Sequence, residues 1–318
     1  MGYEFYGFRE DPFAIQPDLR YLYLSRSHYT AFSALMSAIR EKKGVTVVVG
    51  ETGTGKTLLL HALLRDLSEK IRTAFIFSPR PDFRGLLESI LRELRMSPGA
   101  EGGDLDGLGR RFDLYLREVG SRNETVVVVI DEAQNLEEKV LEEWDRRFPR
   151  GSPEGKTLQL VLLGHPDLER KWESQRLQAF KKRIAVRCRL KPLDRDEARG
   201  YIRYRVKRAG RDFSEVFTSE ALNQVGKFSG GIPRVINLLC ARSLELGAAR
   251  ASRVVDSQIV QEAARELKGR LSPGRQIRSP RFLGKRISSR FLRLLFFVLS
   301  CLVFAFSLAM TLSLLFRG

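Results

Sequence analysis

At 318 residues, with 43% apolar and 29% charged side chains, the chain is long enough for about two globular domains and too apolar to be disordered throughout. Three widely spaced cysteines, Cys188, Cys240 and Cys301, exclude a disulfide framework and a cysteine-ligated metal site, so the globular part is expected in a reducing compartment. A formal charge of +17 points to nucleic acid or an anionic membrane surface, and its distribution along the chain decides between them.

The first twenty residues mix Glu4, Glu10, Asp11, Pro12 and Pro17 with aromatics and lack the cationic-then-apolar pattern of a secretory leader. The N-terminal part is therefore expected to stay in the cytosol. Tyr3, Phe5, Tyr6, Phe8 and Phe13 precede a helix expected over 27–42. Residues 1–43 read as an arm and helix that cover a flat base with apolar side chains, or that simply pack onto the core.

An apolar strand over 45–49 leads into Gly50-Glu51-Thr52-Gly53-Thr54-Gly55-Lys56-Thr57, which matches GxxxxGK[ST], and a helix over 58–67 follows. Such a loop binds nucleotide phosphate because glycines let successive backbone N–H groups face the phosphate without intervening side chains. Lys56 is expected to reach the β- and γ-phosphates and Thr57 to ligate Mg²⁺, with residues 50–57 forming the nucleotide site. The pattern continues with a strand over 73–77, a helix over 82–95, a Gly-rich stretch over 98–109 and a helix to 119. A strand over 125–130 then ends in Asp131-Glu132. That apolar strand with its acidic pair is a Walker B pattern: Asp131 holds Mg²⁺ and Glu132 polarises the attacking water. An acidic helix N-cap is the plain alternative for the pair. In a doubly wound sheet the strand carboxyl ends share one crevice, so Asp131 would sit beside Thr57, and the strand over 73–77 that lies between the two motif strands in sequence suits the P-loop class with a strand inserted between them.

A helix over 136–148, a loop over 149–155 and a strand over 158–163 come next, and His165 follows that strand at the sheet edge shared by both motifs. His165 is a candidate γ-phosphate sensor or an ordinary histidine in a proline turn. A helix over 172–183 ends in Lys181-Lys182-Arg183 before a strand over 184–190. Arg183 is a candidate arginine finger reaching across a subunit boundary, or part of a solvated basic helix end. Alternating strands and helices predict an α/β P-loop fold, a parallel sheet with helices on both faces, over 44–192. From 193 to 268 the pattern is helical, over 194–209, 218–228, 233–249 and 256–267, and reads as a small lid. Pro233 at a helix start places Arg234 where it can face phosphates from the lid side.

Residues 269–293 carry Arg270, Arg275, Arg278, Arg281, Lys285, Arg286, Arg290 and Arg293 and no acid, and residues 294–316 are then free of charge. At about 1.5 Å per residue the latter run can cross a hydrocarbon core of about 30 Å. A transmembrane helix with its basic flank in the cytoplasm is the expectation, the cations attracting anionic lipid. Duplex DNA as the partner of those cations is the alternative.

The order YGFREDPF (6–13), PDLRYLYLSRSH (17–28), GETGTGKT (50–57), VIDEAQNL (129–136), LLGHPDL (162–168), KRI (182–184), RLKPL (189–193), YIRYRVKRAG (201–210) and GGIPRVINLLC (230–240) resembles the ExeA/general secretion pathway protein A family of membrane-linked AAA+ ATPases. It is also similar to pilus-biogenesis and transposition-targeting ATPases. The resemblance implies an AAA+ fold, ATP and Mg²⁺ at Lys56, Thr57, Asp131 and Glu132, and a ring of identical subunits. It further implies an inner-membrane location and partners in a secretion or pilus-type envelope complex. Two positions depart from the family pattern, His165 and Lys182 standing where it has glutamine. Secretion members continue past the span into a peptidoglycan-binding domain, whereas this sequence stops at Gly318, so cell-wall binding is not carried over.

Overall fold

Runs of valine and isoleucine without a polar face form strands that are covered on both sides, as in a parallel sheet. The computed structural model describes residues 2–96, 104–149 and 151–268. Among them β1 (Val45–Gly50), β2 (Ile71–Ile76), β3 (Thr125–Ile130), β4 (Leu158–Gly164) and β5 (Ile184–Leu190) form one five-stranded parallel sheet in the order β2-β3-β4-β1-β5. Alternate residues serve opposite faces, because successive side chains on a strand point opposite ways. Val126, Val128 and Ile130 join one core cluster, and Val127 and Val129 join another.

The first face is covered by α4 (Phe83–Glu93), α5 (Leu105–Ser121) and α6 (Glu138–Arg147), which bring Leu86, Ile90, Phe112 and Trp144 to it. The second is covered by α2 (Arg26–Arg40) and α3 (Lys56–Asp66) through Leu35, Ile39, Leu59 and Leu63. Leu35 and Ile39, and Leu59 and Leu63, are each four apart on their helix, the spacing that puts one apolar stripe against a sheet. Asp82 and Asp104 start α4 and α5 by accepting the backbone N–H groups of Gly85 and Gly107, both at 2.8 Å.

The lid comprises α10 (Arg195–Arg208), α11 (Ser219–Ser229), α12 (Pro233–Ala249) and α13 (Ser257–Leu267). Asp194 and Glu197 form a capping box at the start of α10. The N-terminal arm, with its short helix α1 (Gly2–Phe5), packs onto these helices: Tyr6, Phe8 and Phe13 share a core cluster with Ile202, Phe217, Leu239 and Leu244. Phe13 meets Phe217 edge to face at 6.1 Å. Buried Arg205 fastens the arm. It donates to the carbonyls of Pro12 and Ala14 and to Tyr201 Oη, and its guanidinium lies 4.6 Å from the Tyr21 ring centre.

Three expectations are corrected. The loop expected over 149–155 contains a helical turn, α7 (Pro153–Thr157), started by Ser152 Oγ accepting from Gly155 N at 2.9 Å. Of the helix expected over 172–183 only α9 (Gln178–Arg183) is α-helical, preceded by a 3₁₀ turn (Gln175–Leu177), and a separate short helix α8 (Asp167–Lys171) ends just before the expected start. Trp172 and Phe180 stack with ring centres 5.6 Å apart; residues eight apart in a straight helix lie about 12 Å apart along the axis, so packing both rings in one place requires the break. A strand does separate the Walker strands β1 and β3, but it is β4, whereas β2, the one between them in sequence, lies at the sheet edge. Among the described residues no helix is long and apolar enough to cross a membrane, and the basic linker and span expected over 269–293 and 294–316 lie outside those residues.

Candidate functional site

The carboxyl ends of β1, β3 and β4 meet at one edge of the sheet, and each carries its polar residues into the following loop. After β1 the chain turns through Gly53 and Gly55, with φ +87° and +98°, values that residues with a Cβ rarely adopt. The turn delivers the N-terminus of α3 to the edge, where unpaired backbone N–H groups and the helix dipole favour an anion. Thr54 Oγ1 donates to Glu51 O at 2.8 Å and closes the loop from inside.

Lys56 is buried and folds back on the loop, its Nζ donating to Gly50 O at 2.7 Å and Glu51 O at 3.1 Å. Burial lowers its pKa from the usual lysine value, against the opposing pull of Glu132, Asp131 and Glu51. Thr57 Oγ1 donates to Asp131 Oδ2 at 2.7 Å, so the two motifs touch despite the intervening strand. Asp131 Oδ1 accepts from Glu132 N at 2.9 Å. Burial pushes the Asp131 carboxyl above the ordinary aspartate range, and the Thr57 hydrogen bond only partly counters it. A dry site holding a buried amine beside a buried carboxylate is one in which a bound anion and a divalent cation would each relieve a desolvated charge. Glu132 holds the left-handed conformation, φ 52°, uncommon for a residue with a side chain and a recurrent feature of functional turns.

His165 stands at the same edge. Its Nε2 lies 3.0 Å from Glu51 Oε2 and its Nδ1 2.9 Å from Asp167 Oδ2. Arg234 sits where α12 meets the phosphate loop: its backbone N donates to Gly53 O at 3.2 Å, and a Cβ on Gly53 would lie 2.8 Å from Arg234 Cβ. Arg234 Nε is buried and has no hydrogen-bond partner among the described residues. The lid is thereby seated on the loop, with a guanidinium nitrogen left to bond something else. Arg183 is placed differently from the others. Its Nη1 donates to Asp145 Oδ1 of α6 at 2.7 Å and its side chain is 13% exposed, so it is held within its own chain.

The family profile described as an AAA domain matches residues 39–171. General secretion pathway protein A of Aeromonas hydrophila is 35% identical over 272 residues, 85% of this chain and 49% of its own length. The chain carries an AAA domain and is similar to general secretion pathway protein A. It spans about half the length of that relative. Among solved structures, it is similar to Cdc6p of Pyrobaculum aerophilum, with TM-score 0.64, 18% identity and coverage of 81% of this chain and 71% of the other. It is also similar to the ORC1 protein of Aeropyrum pernix in complex with DNA, with TM-score 0.59, 16% identity and coverage of 81% and 69%. At such identities the structural likeness speaks for the fold, an AAA+ P-loop sheet with a helical lid. An AAA domain is a nucleotide-binding domain, which agrees with the phosphate loop of this chain.

The site contains residues that motif reading passed over. His28 is buried, with Nε2 2.8 Å from Thr54 O and Nδ1 2.7 Å from Ser25 Oγ, and it supports the phosphate loop from behind. Gln134 bonds both Glu132 and the backbone N–H of His165. His28 lies in the SRSH segment and Gln134 in the DEAQ segment, yet nothing in their spacing says which backbone atom each meets.

Burial holds the His28 imidazole below its usual pKa, so the unfolded chain takes up that proton first. The stability this residue contributes is therefore full above about pH 6.5 and is lost as pH falls through its folded value. His28→Gln, which cannot titrate, is expected to melt below the unaltered chain at pH 7.5, with the gap narrowing toward pH 5. A gap that stays constant in differential scanning calorimetry over that range would count against the placement of His28.

Proposed function

We propose that this chain is an ATP-hydrolysing AAA protein anchored in the inner (cytoplasmic) membrane by residues 294–316, with its nucleotide site in the cytoplasm. Its cycle supports assembly of a secretion or pilus-type envelope complex. The observation that carries the hydrolase reading is the 2.7 Å hydrogen bond from Thr57 Oγ1 to Asp131 Oδ2, which brings the hydroxyl of one motif and the carboxylate of the other to one point. The membrane and envelope parts rest on the charge-free run, its basic flank and the likeness to general secretion pathway protein A.

A hydroxyl and a carboxylate are hard oxygen donors, the set that Mg²⁺ takes together with phosphate oxygens. Thr57 and Asp131 would hold the ion, which supplies neutralising charge to the β- and γ-phosphate oxygens. Residues 50–57 cradle the phosphates through backbone N–H groups. Lys56 exchanges its two carbonyl partners for phosphate oxygens, an exchange favoured because a phosphate offers the ammonium a full charge where the carbonyls offer dipoles. Glu132 accepts the proton of the attacking water as its oxygen bonds to the γ-phosphorus and the bond from that phosphorus to the β,γ-bridging oxygen breaks, ADP leaving with the bridging oxygen's electron pair. Arg234 brings positive charge from the lid as the site closes, and His165 reports on the γ-phosphate through Glu51. Arg183 serves a neighbouring subunit in a ring, after leaving Asp145.

The test uses the full chain in lipid nanodiscs, with ATP turnover and sedimentation measured with and without duplex DNA. Magnesium-dependent turnover and ATP-promoted oligomers, both indifferent to DNA, are the expected results. Turnover and assembly that require DNA, and that fall steeply between low and moderate salt, would replace the envelope reading with a DNA-bound one.

A further inference from the structure

A single side-chain amide joins the general base expected at Glu132 to the loop that follows β4. Gln134 Nε2 donates to Glu132 Oε2, and Gln134 Oε1 accepts from the backbone N–H of His165 at 3.0 Å. His165 in turn faces Glu51 of the phosphate loop, Nε2 to Oε2, at 3.0 Å. The contacts run from the loop that would hold the γ-phosphate, through His165 and Gln134, to the carboxylate that would activate water.

The backbone is shaped around this amide. A Cβ on Gly164 would lie 2.7 Å from Gln134 Oε1, closer than real contacts of this kind come, so any larger residue at 164 displaces the amide. Glu132 stands in the left-handed region immediately before the 3₁₀ turn Ala133–Asn135 that carries Gln134, and that tight turn brings the amide back over the Glu132 carboxylate. A conformation that costs about 1–3 kcal/mol persists when its surroundings hold it. Gln134 is one of the groups that hold it. Its amide is suited to the position because it alone, among side chains of this length, presents a donor to a carboxylate and an acceptor to a backbone N–H together.

We infer that Gln134 is a positioning residue for ATP hydrolysis, setting the direction of the Glu132 carboxylate according to where the 164–167 loop lies. The inference rests on the hydrolase reading of the site. When His165 and its loop shift with the γ-phosphate, the amide shifts with them and Glu132 turns accordingly. Gln134 acts through Glu132 and the His165 backbone, the two groups it is bonded to, so its removal disturbs the rate of the chemical step and leaves nucleotide affinity in place. A purely structural amide, satisfying His165 N and nothing more, would affect melting and leave the rate per bound nucleotide unchanged.

The experiment compares the full chain with Gln134→Ala, Gln134→Glu, Gly164→Ala and the Gln134→Ala/Gly164→Ala double variant, using MgATP as substrate and a fluorescent ATP analogue for affinity. Gln134→Ala is expected to lower kcat at least about tenfold, the scale of a misdirected catalytic group, with KM and analogue affinity within about twofold. Gly164→Ala, which displaces the amide without deleting it, is expected to give a similar loss, and the double variant no more than the larger single loss. In Gln134→Glu a second carboxylate replaces the donor and repels the Glu132 carboxylate from its seat, so kcat is expected to fall by a similar factor with analogue affinity retained. Variant kcat values equal to that of the unaltered chain, or losses that multiply in the double variant, would overturn the inference. An unaltered chain that binds MgATP without hydrolysing it would overturn the hydrolase reading and this inference with it. Should Gln134→Ala fold poorly, kcat of the near-isosteric Gln134→Glu decides.

Discussion

Glu132→Gln is expected to lower steady-state ATP turnover by about 1000-fold while the variant still binds MgATP, because removing a general base costs roughly 100- to 10,000-fold and leaves the phosphate contacts intact. Glutamine keeps the shape and one acceptor oxygen but cannot take the proton from the attacking water. Lys56→Ala is expected to fail earlier, at binding. Its Nζ is buried against Gly50 O and Glu51 O, and among the described residues no other cation is hydrogen-bonded to those carbonyls. The pair of variants separates two roles with one assay set: analogue binding retained in Glu132→Gln and lost in Lys56→Ala, with turnover lost in both. Turnover near the unaltered rate in either variant would sink the assignment of that residue.

The second large effect is one of stability. Arg205→Ala is expected to destabilise the lid by about 3 kcal/mol, since it leaves the Pro12 and Ala14 carbonyls without their donor and removes a cation stacked over Tyr21. Hydrogen bonds to a charged group are worth about 1.5–3 kcal/mol each, and an orphaned carbonyl adds a desolvation cost, although the arm can recover part of it by admitting water. For a folded region of this size, that corresponds to a fall of roughly 10 °C in melting temperature. Arg205→Lys is expected to recover only a part, because an ammonium cannot bond two carbonyls and a tyrosine while lying flat on a ring. Limited proteolysis should then find new cleavage between residues 9 and 20, where the arm has lost its fastening. A melting temperature within about 2 °C of the unaltered chain would show that the apolar contacts of Tyr6, Phe8 and Phe13 suffice without the guanidinium.

The two stability arguments differ in origin from the catalytic one. Arg205 is a buried cation whose hydrogen-bond partners are all neutral, two backbone carbonyls and Tyr201 Oη. Such an arrangement is legible only once residues 12–14 are seen against α10, with Pro12 and Ala14 lying 193 and 191 positions from Arg205 in the chain. Tyr201 Oη passes the chain of bonds on to Asn237 Oδ1 at 2.8 Å, so the arm, α10 and α12 are tied through one buried polar network. Networks of this kind are stabilising when every member is satisfied and costly when one is removed.

Local pattern determined most of the strands and the nucleotide loop. Five apolar residues, 126–130, followed by Asp131-Glu132, and a GxxxxGK[ST] segment between an apolar run and a helical one, carry their chemistry in residue type and spacing. Phosphate binding by backbone N–H groups needs little beyond the loop itself. The helix boundaries of α10 to α13 were equally accessible, because caps such as Asp194, Thr218 and Asp256 act on backbone N–H groups two or three residues away. Tertiary structure alone decided the rest. The insertion of β4 between the Walker strands, the break that lets Trp172 stack on Phe180 and the packing of the arm on the lid depend on contacts between segments far apart in the chain, to which local periodicity is blind. The same holds for the side chains around the site. His28, Gln134 and Arg183 are ordinary residues until the fold brings a carbonyl, a carboxylate or a partner acid to each, and hydrogen bonds are decided by distances of a few tenths of an ångström that no spacing of letters encodes.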